Sequence, residues 1–164
     1  MSVNHMFLPI TDEQLNRMLA DEQYAHDFIF DEKKDDWVRL STDVLAIIAI
    51  TSRSDDDPLS FVQEGAGDHE DEAGNVGDRI DMGSEPAAYY KNSFLKLVAK
   101  RLEPWTIKKF ESRADMERLE DERVYPGGWT DAHRKPMLVE AFALYRDCIL
   151  KTAAAGLHLL VWCL

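Results

Sequence analysis

Cysteine is nearly absent: the chain has two, Cys148 and Cys163, and neither stands at a metal-ligand or redox spacing. Both fall among apolar residues, where a thiol behaves as a small buried hydrophobe, so reduced cysteines in a cytoplasmic core are expected. Long apolar runs are missing as well. None approaches the roughly 18 residues needed to cross a bilayer, and the N-terminus lacks a basic stretch followed by an apolar one. A soluble chain without membrane contact is the expectation. Positive charge is scarce, with 19 Lys and Arg against 31 Asp and Glu and a net charge of −12. That balance argues against nucleic acid as a ligand, because a phosphate backbone is met by clustered cations. Catalytic motifs are lacking too: there is no Gly-x-Ser-x-Gly elbow, and Gly65-Ala66-Gly67 has neither the third glycine nor the preceding strand of a phosphate cradle.

What is present suits one globular domain spanning residues 1–164, since a chain of 164 residues with 45% hydrophobic content can bury a core without staples. No internal repeat or low-complexity linker divides it. The charge is uneven. Residues 53–85 hold eleven acids against Arg53 and Arg79, whereas residues 91–118 hold eight bases against four acids. A dipolar surface follows, which steers association without naming a partner.

The strongest structural signal closes the chain. From Pro136, Leu138, Ala141, Phe142, Tyr145, Cys148, Ile149 and Thr152 recur at helical spacing, and Gly156 terminates the pattern. Residues Leu157 to Leu164 are then apolar on both faces of a strand, which requires cover on both sides and a central place in a sheet. Earlier, Val3 to Leu8 predicts a first strand stopped by Pro9, and Thr11-Asp12-Glu13-Gln14 is a capping box opening a helix with Leu15, Met18 and Leu19 inward. Residues 21–36 read as an acidic loop with one aromatic turn. A helix is expected from Asp36 through Trp37, Leu40, Val44, Ile47 and Ile48, capped by Asp35 or Asp36.

Ser52 to Asp56 reads as a loop, and Asp57-Pro58 as a capped start to a short helix ended by Gly65. Gly65 to Gly77 is glycine-rich and acidic and is expected to be mobile. A short strand at Arg79 to Met82, a turn at Gly83 to Pro86, and a helix capped by Asn92 with Leu95, Val98 and Leu102 inward come next. After Pro104, helices are expected over Trp105 to Phe110 and Arg113 to Leu119. Val124-Tyr125-Pro126-Gly127-Gly128-Trp129 is a rigid aromatic turn with two glycines suited to positive φ. The fold class is α+β, a small, mostly buried sheet with helices packed on it and the C-terminal helix leading into a central strand.

These landmarks together resemble the YfbM-like family of small bacterial domains of unknown function. The carriers are the first strand with Thr11-Asp12-Glu13-Gln14, Trp37 with Leu40, Asp57-Pro58-Leu59-Ser60, Gly83 with Pro86 and Tyr90, Val124-Tyr125-Pro126-Gly127, and the final helix, glycine and strand. The resemblance spans nearly the whole chain and implies an α+β fold rather than an activity. One departure is Ser41, where similar proteins often carry a histidine, so no role for that imidazole transfers.

The residues that could act are few. Asp68-His69-Glu70-Asp71-Glu72 places carboxylates and an imidazole together, but not at the spacing of a calcium loop, and reads as a solvated docking surface rather than a metal site. Asp55 and Asp56 are similar, with Asp57 as a cap. His5, His26, His133 and His158 form no catalytic pattern; His158, between Leu157 and Leu159, needs partners on both ring nitrogens if buried. The aromatics that flank turns, Tyr89, Tyr90, Trp105, Tyr125 and Trp129, are candidate interface anchors, Tyr89 and Trp129 being the two taken into the partner surface. The expected function is a non-enzymatic acidic module binding a basic protein through Asp55, Asp56, Asp68, Glu70, Asp71, Glu72, Tyr89 and Trp129. An immunity or antitoxin protein blocking a toxin in the cytoplasm is its concrete form. The alternative is an enzyme or small-molecule binder with a pocket near Trp37, Tyr125 and His158. No cofactor or catalytic residue is expected, and a homodimer through a sheet edge is a third possibility.

Overall fold

Leu159 and Val161 face one side of a five-stranded sheet and Leu160 and Trp162 face the other, and none of the four is more than 6% exposed. The computed structural model describes residues 4–40, 43–52, 57–64, 72–76 and 87–164. In chain order these form β1 (His5–Ile10), α1 (Asp12–Ala20) and α2 (Glu22–Asp27), the last running into a π turn over Phe28–Glu32 and a 3-10 turn over Lys34–Asp36. Then come β2 (Val38–Leu40), α3 (Val44–Thr51), a 3-10 turn over Pro58–Ser60 leading into α4 (Phe61–Glu64), β3 (Ala73–Val76) and β4 (Ala87–Tyr90). Helices α5 (Asn92–Leu102), α6 (Ile107–Arg113), α7 (Met116–Asp121) and α8 (Arg134–Ala154) precede β5 (His158–Cys163).

The strand order is β2-β1-β5-β4-β3, antiparallel at every pairing, so the α+β class and the central place of the last strand stand as expected. Alternation along β5 sends one set of side chains into a core with Phe7, Leu40, α3, α5 and α8, and the other into a core with Met6, Leu8, α1, α2 and the π turn. Seven α8 positions expected inward, Leu138 through Thr152, are all buried.

Several elements differ from expectation, each for a local reason. Pro9 does not stop β1 but sits within it, opposite Leu159. Asn4 and Leu164 exchange two backbone hydrogen bonds of 2.8 and 2.9 Å, which sets the phase of the ladder. Pro9 then turns its nitrogen away from β5, toward the side where β2 has already ended at Phe7, so the missing N–H removes no sheet bond. Leu19 is 48% exposed, because Leu15 and Met18 take the inward face of α1. Residues 21–36 are helical rather than a loop: Asp21 caps α2 by accepting from the amide of Tyr24 at 3.0 Å, and Phe28 and Ile29 are buried.

The helix expected from Asp36 begins only at Val44. Val38–Leu40 instead pairs with β1, and Trp37 packs edge-on against Trp162 at 5.2 Å while its Nε1 donates to the carbonyl of Ile29. Asp35 and Asp36 therefore cap nothing there; Asp36 pairs with Lys33. Ala73–Val76 forms β3 within the segment expected to be mobile, while residues 65–71 and 77 lie outside the described residues, as do Val3, the loop positions 53–56, the strand at 79–82 and the turn at 83–86. Helices α6 and α7 start later than expected, where Thr106 and Asp115 accept from the amides of Lys109 and Arg118 as N-caps.

Asn92 is not a cap. Its side-chain amide donates to the carbonyls of Ala153 and Leu157 at 3.0 Å each, with Thr152 at 3.4 Å, and ties the start of α5 to the turn between α8 and β5. His158 completes this junction. Its Nδ1 accepts from the backbone N–H of Asn92 at 3.0 Å, which in the neutral tautomer puts the ring proton on Nε2, 3.2 Å from Asp12 Oδ1. Gly156 closes α8 at φ 73°, a conformation that a side chain would strain.

Removing residues 157–164 would take out the strand between β1 and β4; circular dichroism and thermal melting are expected to show no cooperative unfolding, and Leu160→Ala to lose about 2–5 kcal/mol in urea titration. His5, 7% exposed on β1, has its pKa lowered by burial. The unfolded chain therefore takes up that proton first, near pH 6.5, so His5 removes stability as pH falls below about 6.5 and none above it. In urea titrations from pH 8 to 5, His5→Asn is expected to flatten that part of the slope.

Candidate functional site

The N-terminal ends of α3 and α8 meet through a buried charge pair. Asp43 precedes α3, but its side chain makes no capping bond. Its carboxylate, 3% exposed, lies 3.4 Å from Nη2 of Arg134, the first residue of α8. The Arg134 guanidinium in turn sits over the Trp129 ring, 4.4 Å from its centroid. Trp129 is fully buried, its backbone N–H donating to Glu120 Oε2 at 2.6 Å and its indole N–H to the Val124 carbonyl at 2.7 Å. Gly127 and Gly128, directly before Trp129, take φ of 84° and 69°, the positive values expected of them. Asp43, Arg134 and Trp129 thus form one column fixing α3, α8 and the aromatic turn relative to each other.

Outside this column a cleft of about 250 Å³ opens between the end of β2 and α8. Buried Leu40 and Ala141 contribute to it, and Met137 and Leu144, two turns apart on α8, stand at its side with 49% exposure each. Asn4, Arg39, Asp43 and Glu140 supply the polar lining. Strand β2 is the last in the sheet and, among the described residues, pairs with β1 alone. The ladder phase set at Asn4 makes His5↔Leu40 and Phe7↔Val38 the hydrogen-bonded pairs, so the N–H and C=O of Arg39 point away from β1, to the side where no strand pairs among the described residues. The arrangement offers an incoming peptide two kinds of contact: backbone bonds at Arg39 and an apolar surface at Met137 and Leu144.

Of the residues singled out for partner binding, Asp55, Asp56, Asp68, Glu70 and Asp71 lie outside the described residues. Glu72 is half-buried in the turn before β3, where its carbonyl accepts from the Lys91 amide at 2.7 Å. Tyr89 is half-buried on β4 and packs on the core beneath α1 and α2, so closely over Gly74 that a Cβ there would lie 2.7 Å from its ring. Trp129 is corrected from surface anchor to core residue: no part of it is left for a partner, because Arg134 covers the ring and both N–H groups are used.

Trp37, Tyr125 and His158 are not brought together. Trp37 contacts Trp162 at one end of β5, and His158 is four residues away at the other, roughly 13 Å at 3.3 Å per residue. Tyr125 belongs to the turn beside the opposite core, against which Val124 packs. None of the three lines the cleft at β2. Among the described residues no three His, Cys, Asp or Glu side chains gather as a metal would require, and no helix is long and apolar enough to cross a membrane. Burial drives the Cys148 thiol up to about 11, well above neutral pH, so it stays protonated.

Sequence reasoning passed over Met137 and Leu144. Their signal was available, since both lie off the buried stripe of α8 yet are apolar. Asp43 and Arg134 carried none, because their pairing joins residues distant in sequence.

A five-stranded antiparallel sheet with a thin helical layer on one face and a thick one on the other defines an α+β domain of the small mixed class. The chain belongs to a family described as a domain of unknown function, DUF1877, whose model matches residues 1–162. A solved structure described as a protein of unknown function, YfbM from Escherichia coli, is similar with a TM-score of 0.60 at 20% identity, covering 98% of this chain and 99% of that one. This likeness shows the fold and agrees with the YfbM-like resemblance. No curated protein matches the chain.

Removing Asp43 takes from the Arg134 guanidinium the buried carboxylate that it faces. Asp43→Ala is expected to lose about 3 kcal/mol or more by urea unfolding, while Asp43→Leu with Arg134→Met regains much of it.

Proposed function

We propose that the chain is a non-enzymatic protein-binding module that receives a basic protein in the cleft between β2 and α8. The observation that carries this reading is the pair Met137 and Leu144, each 49% exposed, beside β2, the last strand of the sheet among the described residues. Large apolar side chains grouped in a concave place, next to backbone that has no strand partner among the described residues, are the ordinary composition of a docking site. The character of the partner follows from charge. A chain at −12 repels acidic proteins and draws basic ones, and Glu140 in the cleft lining provides an acid at the point of contact. The acids Asp55, Asp56, Asp68, Glu70, Asp71 and Glu72 would add long-range attraction. An immunity or antitoxin protein that blocks a basic toxin in the bacterial cytoplasm is the concrete form, because an inhibitor must capture its target faster than the target acts.

Affinity capture from the source cell should compare the wild type, Met137→Glu with Leu144→Glu, and a variant with the six acids neutralised. One basic protein is expected with the wild type, released by raised salt, lost with the Met137 and Leu144 variant and weakened by neutralisation. A captured protein that binds all three equally would contradict the proposal, as would light scattering showing a homodimer that the Met137 and Leu144 changes dissolve.

A further inference from the structure

A second cleft, of about 490 Å³, lies elsewhere on the surface and shares no lining residue with the first. We infer that it is an anion site for a phosphate monoester carried on a small aromatic or apolar body. Three cations converge on it: Lys109 and Arg113 from α6 and Arg118 from the first turn of α7. The facing positions Lys109, Ser112 and Arg113 are spaced three and four apart, which puts them on one side of α6. Asp115 is the one acid in the lining, and it is engaged in capping α7 by accepting from the Arg118 amide at 3.0 Å.

The cations differ in how far they are already neutralised. Arg118 pairs through Nε with Glu122 at 2.9 Å, which leaves the far side of its guanidinium for a ligand. Lys109 rests over the Trp105 ring, 4.6 Å from its centroid. Arg113 makes no ion pair or hydrogen bond with its side chain among the described residues. A positive cleft of this kind stands out in a chain whose net charge is −12, and it lies in the basic segment 91–118 that the docking proposal leaves unexplained.

The ligand class follows from the wall chemistry. Guanidinium groups present planar forks that match phosphate oxygens, and two of them with an ammonium suit a dianionic head better than a single carboxylate. Trp105 and Ile50 supply the apolar part. The backbone that carries Trp105 is tied down, since Arg146 donates to the main-chain carbonyls of Trp105 at 2.8 Å and Glu103 at 3.2 Å. A cleft of this volume is within the range that takes a small organic molecule.

The test is titration of the full chain with phenyl phosphate, inorganic phosphate and benzoate, followed by calorimetry and by the NMR resonance of the Trp105 indole N–H. Phenyl phosphate is expected to saturate with a dissociation constant on the order of 0.1–1 mM at low salt, to shift the Trp105 signal, and to bind more tightly than either inorganic phosphate or benzoate. Arg113→Gln, on an exposed position, is expected to keep the melting temperature and weaken binding at least tenfold, and Lys109→Gln to weaken it less. Absence of saturation, equal affinity for benzoate, or unchanged binding by Arg113→Gln would each overturn the assignment. Capture of a protein partner at the β2 cleft reads out independently, so failure here leaves that result unaffected.

Discussion

The structure depends on one constraint: β5 is apolar on both faces and therefore needs a core on each side. Leu159 and Val161 draw in α3, α5 and α8; Leu160 and Trp162 draw in α1, α2 and the π turn. A strand buried in this way holds the two layers together, because neither core is complete without it. The chain reaches β5 last, so the earlier elements have to leave a gap between β1 and β4 for it to fill. Its entry is fixed by polar contacts at the α8 turn, where Asn92 meets three backbone carbonyls and His158 bridges Asn92 to Asp12. Those bonds satisfy groups that burial would otherwise leave unpaired.

Periodicity and caps made much of this fold legible. The stripe on α8, the two-faced strand and the capping box at Thr11 depend on neighbours in sequence, and all three are found in place. Where tertiary pairing decides, the same reading misled. Leu40 and Val44 keep helical spacing, but hydrogen bonding of Val38–Leu40 to β1 outweighs it and splits the pattern into a strand and a helix. Pro9 is tolerated because its nitrogen faces the side that β2 has left, a fact about register that composition does not encode. Asn92 carried the signature of a cap and serves instead as a clamp across sixty residues or more.

The candidate sites were less legible, and for a different reason. A turn aromatic can be an anchor or a plug, and Trp129 is the plug: it is held by Arg134, Glu120 and Val124. The groove at β2 is assembled from Leu40 and from α8 residues roughly a hundred positions later, so no local window contains it. The basic cleft was foreshadowed by the charge asymmetry of residues 91–118 and by Trp105 as an aromatic beside a turn. Its convergence on Trp105 requires the corner between α6 and α7, set by the caps Thr106 and Asp115.

Both surfaces thus follow from what the core leaves over: a sheet edge that β2 is too short to extend, and helix faces that the second layer does not cover. The central functional claim is that the β2 edge is where a partner docks. Photo-crosslinking in the source cell tests it most directly, with a crosslinking residue placed in turn at Met137, at Leu144 and, as a control on the opposite side of the sheet, at Leu19. The account predicts one basic protein crosslinked from positions 137 and 144 and absent from position 19. Crosslinks from position 19 with none from 137 or 144 would contradict it.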